Sequence, residues 1–299
     1  MSQPIVDAHQ HFWDLERNYL PWLCDPQPIP FRYGDYRALR KNYLPADYLR
    51  DSARHDVIKT VYVETEWDPA DPVGETRWLQ KIIEATGFPH AIVAQAHLDR
   101  DDVEAVLAGH AAFAQVRGIR HKPRAAEAPD RVQPGAPGSM GDPVWRHGYA
   151  LLARHGLSFD LQTPWWHLAE AAALARDFPD TQIILNHTGL PSDRSAAGLA
   201  GWREAMRTLA AEPNVACKIS GLGQPGRPWM VESNGLIVLD TIEIFGVERC
   251  MFASNFPVDS LVADFDTIFD GFRTIVAGLG AAEQAALFHD NAVRFYRLE

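Results

Sequence analysis

Two histidines one residue apart, His9 and His11 in VDAHQHFW, are the first side chains able to do chemistry. On an extended strand residues i and i+2 project from one face, so both imidazoles can reach a single metal ion or a single substrate oxygen. GIRHKPR supplies Arg120 and His121, with Lys122 and Arg124 behind them, and QIILNHTGLP supplies His187. TVYVETEW carries Glu64 and Glu66, while FDLQTPWW carries Gln162 and the pair Trp165 and Trp166. A guanidinium suits two-point recognition of a carboxylate. An imidazole exchanges protons near neutral pH, and indoles stack on the apolar face of a sugar or an aromatic ring. Taken singly, each residue has a structural alternative as a core histidine, a salt-bridge partner, a solvated basic loop or a packing aromatic. What unites them is position, since each ends a short apolar run.

Those runs set the organisation. Strand candidates are Ile5–Ala8, Ile58–Glu64, Ala91–Ala96, Gln115–His121, Leu157–Gln162, Gln182–Asn186, Val215–Ile219 and Cys250–Ala253. Between them lie segments with helical spacing, such as Glu75–Ala85, Asp101–Ala112, Pro143–His155, Leu168–Asp177, Trp202–Ala211 and Gly235–Phe245. Eight strands alternating with helices predict an α/β fold, a (β/α)8 barrel forming one domain over residues 1–299. An open doubly wound sheet would ordinarily show a glycine-rich first turn, and none is present. Long βα loops are expected at 12–46 and 122–143. They leave the C-terminal strand ends, where such barrels build their sites, and so are candidate walls or lids.

Composition narrows the partners. The 299 residues are 46% hydrophobic and 22% charged, as in a globular protein, and the formal charge of −11 argues against nucleic acid. No apolar run reaches the length of a membrane span. The N-terminal residues lack the pattern of a signal peptide, so the cytoplasm is the expected location. Cys24, Cys217 and Cys250 show no metal-binding spacing, and the latter two read as buried free thiols. The expected partner is a small molecule, anionic or polyhydroxylated, and the oligomeric state is left open.

The motifs VDAHQHFWD (6–14), GIRH (118–121), HTGLP (187–191), CKISGL (217–222), FASNFPVDSL (252–261) and NAVRFYRL (291–298) resemble, in order and end to end, one family. It is the amidohydrolase-related branch of the amidohydrolase superfamily, and the chain is similar there to the sugar-acid and dicarboxypyrone lactonases. The resemblance implies a barrel that hydrolyses the C–O ester bond of a small cyclic substrate. In that picture His9, His11 and His187 sit at strand ends, and Arg120 and His121 hold a carboxylate or polarise the lactone carbonyl. An aspartate at the end of strand eight takes a proton from the attacking water. Many superfamily members hold one or two divalent metals through such residues, whereas several lactonases of this branch work without one. The expectation is therefore no required cofactor, or one zinc or manganese ion on His9, His11 and His187.

This chain departs from the pattern at strand eight, where Asn255 stands in place of aspartate. An amide accepts and donates hydrogen bonds but does not take up a proton at neutral pH. Three residues are candidates for the missing base: Glu64 at the end of strand two, Asp259 four residues beyond Asn255, and His187. Glu64 has an ion pair with Arg120 or Lys122 as its structural alternative, and Asp259 a helix-capping role. Lactone hydrolysis is the leading expectation. A metal-dependent decarboxylase of the same superfamily and a non-catalytic small-molecule-binding barrel are the alternatives.

Overall fold

The computed structural model describes residues 3–298. Each apolar run forms a strand: β1 Ile5–Gln10, β2 Val57–Val63, β3 Ala91–Gln95, β4 Val116–Arg120, β5 Ser158–Leu161, β6 Ile183–Leu185, β7 Val215–Ile219 and β8 Cys250–Phe252. They lie parallel in sequence order as one eight-stranded sheet. Helices cover its outside, so most strands are buried on both faces and read as continuous rather than alternating apolar runs. The architecture is a single-domain (β/α)8 barrel.

The expected helices form over Gly74–Thr86, Val103–Ala111, Pro143–Ala150, Leu168–Asp177, Ala196–Ala210 and Val231–Phe245. Asp142 and Ser195 cap two of them by accepting from the backbone N–H of Val144 and Gly198. The segment expected to be helical to His155 leaves the α-helix after Ala150, and a 3-10 turn at Ala153–His155 completes it. Further helices, Pro45–Asp51, Phe265–Ile275, Ala281–Ala285 and Asn291–Tyr296, lie outside the segments picked from spacing. No helix among the described residues is long and apolar enough to cross a membrane.

An inner core of Val6, Ala8, Val61, Val63, Val93, Ile184, Ala216 and Met251 fills the barrel. Within the protein interior Lys218 Nζ donates to Asp160 Oδ1 at 2.6 Å, and both side chains are fully buried. Tyr296 OH and Asn186 Nδ2 donate to the same oxygen, each at 2.9 Å. A buried pair persists only when its remaining polar atoms are satisfied in this way.

The barrel seam closes at the candidate site. Asn255 N donates to His9 O and His11 N donates to Phe256 O, both at 2.8 Å. Just below, Ser254 donates from its backbone N and its Oγ to the two oxygens of Asp7, at 2.9 and 2.6 Å. The β1–β2 register slips between Asp7 and Gln10, an irregularity of the kind that re-aims side chains beside active sites.

Loop 12–46 is tied at its base by paired backbone bonds between Trp13 and Tyr43, both 2.9 Å. It packs Trp22, Phe31 and Tyr36 against one another. Loop 122–143 is pinned by Trp166 Nε1 donating to Ala126 O at 2.9 Å and by Arg124 N donating to Gly138 O at 2.8 Å.

Candidate active site

The strand ends bring His9, His11 and His187 together as a ring cluster. The His9 centroid lies 4.9 Å from that of His11 and 4.7 Å from that of His187. Residues around this cluster hold positive φ, among them Glu66 at 58°, His187 at 55°, Leu190 at 55° and Asn255 at 56°. Such backbone is uncommon for residues other than glycine and gathers at functional sites, with asparagine among the more tolerant types.

Hydrogen-bond accounting fixes His11. Its Nδ1 lies 2.7 Å from the carbonyl oxygen of Val63. A carbonyl only accepts, so Nδ1 carries the proton and Nε2 presents a lone pair. That lone pair faces Asn255 Oδ1 at 3.3 Å. The amide cannot turn to donate there, because its Nδ2 donates to Asp259 Oδ1 at 2.6 Å. Asp259 also accepts from Tyr33 OH at 2.9 Å and lies 3.5 Å from Arg32 Nη2. Burial pushes His11 down to about 3, so its ring is neutral at physiological pH.

Arg120, at the end of β4, is held by residues just past the ends of β2 and β5. Its Nε donates to Glu64 Oε1, its Nη2 to Glu64 O at 2.7 Å, and its Nη1 to Gln162 Oε1 at 3.2 Å. His9 Nε2 lies 3.5 Å from Nη1. Five guanidinium hydrogens are available, which leaves a second hydrogen on Nη2 for a substrate oxygen. The other Glu64 oxygen accepts the backbone N–H of Glu66 at 2.6 Å. Despite burial, the charges of Arg120 and Lys122 hold Glu64 below its ordinary pKa, so it stays ionised with one oxygen committed to Arg120 and the other to the Glu66 N–H. His187 Nδ1 lies 2.9 Å from Ser220 Oγ, and burial, with Arg32 and Arg120 nearby, keeps this ring neutral.

These groups enclose a cavity of about 230 Å³ whose wall includes His11, Arg32, Arg120, Gln162, His187 and Asn255. His9 is fully buried beneath it. Asp259 stands behind Asn255, and His121, Trp165 and Trp166 stand outside the wall. Trp165 packs beside Gly201, and Trp166 pins loop 122–143. Spacing gave no hint of Arg32 and Tyr33, which come from an aperiodic proline-rich stretch. Nor did it reveal Glu75, whose Oε1 accepts from Thr65 N at 2.9 Å and from Tyr62 OH at 2.8 Å. That carboxyl braces the turn presenting Glu64 and Glu66.

Tetrahedral zinc with bonds of about 2.0–2.1 Å needs nitrogen lone pairs converging on one point. His9 Nε2 instead faces the Arg120 guanidinium, and the Lys218 and Arg120 charges bear on that ring. Among the described residues, the His, Cys, Asp and Glu donors that come within 4.8 Å of one another as a trio are His97, Asp99 and His121, outside this cavity. His9, His11 and His187 as placed do not fit a three-histidine ion site.

The sequence profile of the family described as Amidohydrolase matches residues 6–298. The chain belongs to the amidohydrolase family. This amidohydrolase is 47% identical over 294 residues to the uncharacterized protein y4mH of Sinorhizobium fredii, covering 98% of both chains. It is 30% identical over 308 residues to an L-fucono-1,5-lactonase of Burkholderia ambifaria, covering 98% of this chain and 96% of that one. A crystal structure of an amidohydrolase from Burkholderia multivorans with bound HEPES superposes with a TM-score of 0.82 at 25% identity, covering 99% of each chain. A second crystal form of an amidohydrolase from that organism, with bound zinc, gives 0.80 at 24% identity and the same coverage. Superfamily members commonly use a divalent metal, and the lactonase relatives place this amidohydrolase in the branch that the motifs resemble.

Proposed function

We propose that this amidohydrolase opens a small cyclic ester by direct attack of water, with His11 as the general base. One observation carries the reading: two acceptor lone pairs, on His11 Nε2 and Asn255 Oδ1, face each other 3.3 Å apart in the cavity wall. Two acceptors cannot satisfy each other, but a water molecule can donate to both. The water oxygen attacks the lactone carbonyl carbon as its proton passes to His11 Nε2. The ring C–O bond then breaks, and that proton goes to the leaving alkoxide, giving a hydroxy acid. Arg120 supplies the hydrogen on Nη2 to the developing oxyanion, a contact worth about 10²–10³ in rate. With its pKa held at about 3, His11 is a weak base, so polarisation by Arg120 is the larger contribution. Asn255 thus orients water where an aspartate would deprotonate it.

A sugar-acid lactone is the first substrate class to test, given the similarity to an L-fucono-1,5-lactonase. The decarboxylase alternative requires an ion held firmly by the three histidines, a set that does not converge. The experiment is lactone hydrolysis by the purified protein over a panel of sugar 1,5- and 1,4-lactones, before and after chelation. Turnover that survives chelation and falls by about 10²–10⁴ in His11→Ala supports the reading. Turnover that is lost on chelation and restored by zinc or manganese overturns it.

A further inference from the structure

We infer that the barrel mouth carries a second chamber that receives an additional, uncharged ring of the substrate, bearing acceptor oxygens, beside the ring that is opened. The inference rests on the lactone reading above. The chamber measures about 730 Å³. Glu64, Glu66, Arg120 and Lys122 line both it and the catalytic cavity, so the two spaces share one wall. That wall is a built feature. Glu66 holds its positive φ of 58°, its N–H is fixed by Glu64, and its carboxylate pairs with Lys122. The catalytic cavity alone, at about 230 Å³, lies below the ~300–1,000 Å³ range of small-molecule sites. Both spaces together reach that range.

The chemistry of the lining names the ligand. Trp22 and Trp67 present indoles to the chamber, and Trp67 is braced by stacking on Trp78 at 5.9 Å. Flat aromatic walls suit a second ring, either an aryl group or the apolar face of a sugar. His121 supplies the polar contact. Its Nδ1 accepts from Leu98 N and from Trp145 Nε1, both at 3.0 Å. A nitrogen accepting two hydrogen bonds carries no proton, so Nε2 is the N–H of this neutral ring.

That tautomer also decides the meaning of the His97, Asp99 and His121 trio. An ion on His121 Nε2 would have to displace its proton, and turning the ring would strand the Leu98 and Trp145 donors. The chamber therefore offers a donor and takes an acceptor oxygen. The charges on the shared wall are paired, Glu64 with Arg120 and Glu66 with Lys122. This arrangement favours an uncharged ring over an additional anion.

The test compares a hexonolactone with the same lactone carrying a second sugar ring, and with one carrying an aryl ring. It uses the native protein and Gln27→Trp, which narrows the chamber from its exposed lip. The expected result is a kcat/KM for at least one two-ring lactone about tenfold or more above that of the single-ring lactone, with the ratio collapsing in Gln27→Trp. Whichever arm gains identifies the ring. Calorimetric binding of the two-ring and one-ring hydroxy acids is measured in parallel. If nothing is hydrolysed but the two-ring acid binds about tenfold tighter, and Gln27→Trp removes the difference, the chamber stands and the hydrolysis reading falls. If single-ring lactones turn over and the second ring changes neither kcat/KM nor binding, the chamber proposal is overturned and hydrolysis stands. If two-ring compounds gain neither turnover nor affinity in any assay, the chamber proposal is overturned as well.

Discussion

The amide of Asn255 is locked by Asp259: Nδ2 donates to the Asp259 carboxylate at 2.6 Å, and this turns the amide oxygen toward His11. On the proposed reading, this relationship is how an amide serves at the end of strand eight. With one N–H committed to Asp259, Asn255 turns its amide oxygen toward His11. The carboxylate four residues on remains in the fold, behind the amide.

Exchanging the two functional groups tests the lock. Asn255→Asp alone places two carboxylates in contact in a buried site and is expected to lower stability by on the order of 1–3 kcal/mol. Asp259→Asn alone removes the acceptor of the Tyr33 hydroxyl and the partner of Arg32. The double variant restores one donor facing one acceptor, so it should be more stable than the sum of the single losses. A denaturation double-mutant cycle with coupling of ~1 kcal/mol or more supports the lock. Additive losses contradict it.

The pH dependence of turnover separates the two ways of activating water. Burial holds His11 at about 3 and places His9 and His187 well below their ordinary range. A depressed histidine pKa keeps the ring neutral as pH falls through 6.5, so kcat/KM should stay flat from pH 8 to about pH 5. An acid limb near pH 7 would instead indicate a metal-bound water, whose pKa lies near 7.

Arg120→Lys keeps the charge and loses the fork that contacts Glu64 twice and Gln162 once. Lysine has no planar arrangement of donors to replace it. The expected loss is about 10²–10³ in kcat/KM, concentrated in kcat. A loss confined to KM would mean that Arg120 binds substrate without stabilising the transition state.

Glu75 sets a stability trend. Burial, with the Glu64 carboxylate nearby, pushes it from an ordinary 4.5 up to about 7. A raised carboxyl pKa means that the fold favours the protonated form. Its contribution is complete below about pH 4.5 and is lost as pH rises through about 7. Glu75→Gln keeps an Oε1 acceptor for Tyr62 and Thr65 and does not titrate. Between pH 5.5 and 8.5 the native protein should lose on the order of 2 kcal/mol more stability than the variant, measured by chemical denaturation at each pH. Parallel curves for the two proteins would refute the assignment.

The barrel was legible in the chain because its determinants are local. β-branched runs bounded by turn residues match the observed strands to within one or two residues, and alternating helical spacing implies the parallel order. The helices missed lie mostly after strand eight, where no further strand marks their ends. His9, His11, Arg120, His187 and Asn255 were found by the same logic, since a polar residue ending an apolar run must face the barrel mouth. Which of these groups carries a proton was not legible. That depends on partners far apart in sequence: Val63 sets the His11 tautomer, Asp259 with Arg32 and Tyr33 sets the Asn255 amide, and Trp145 with Leu98 sets His121. The sequence alone determined the fold and the identity of the polar groups at its mouth, because burial periodicity is written along the chain. Only the tertiary structure decided donor from acceptor and one cavity from two. Those properties belong to atoms brought within hydrogen-bonding distance by folding.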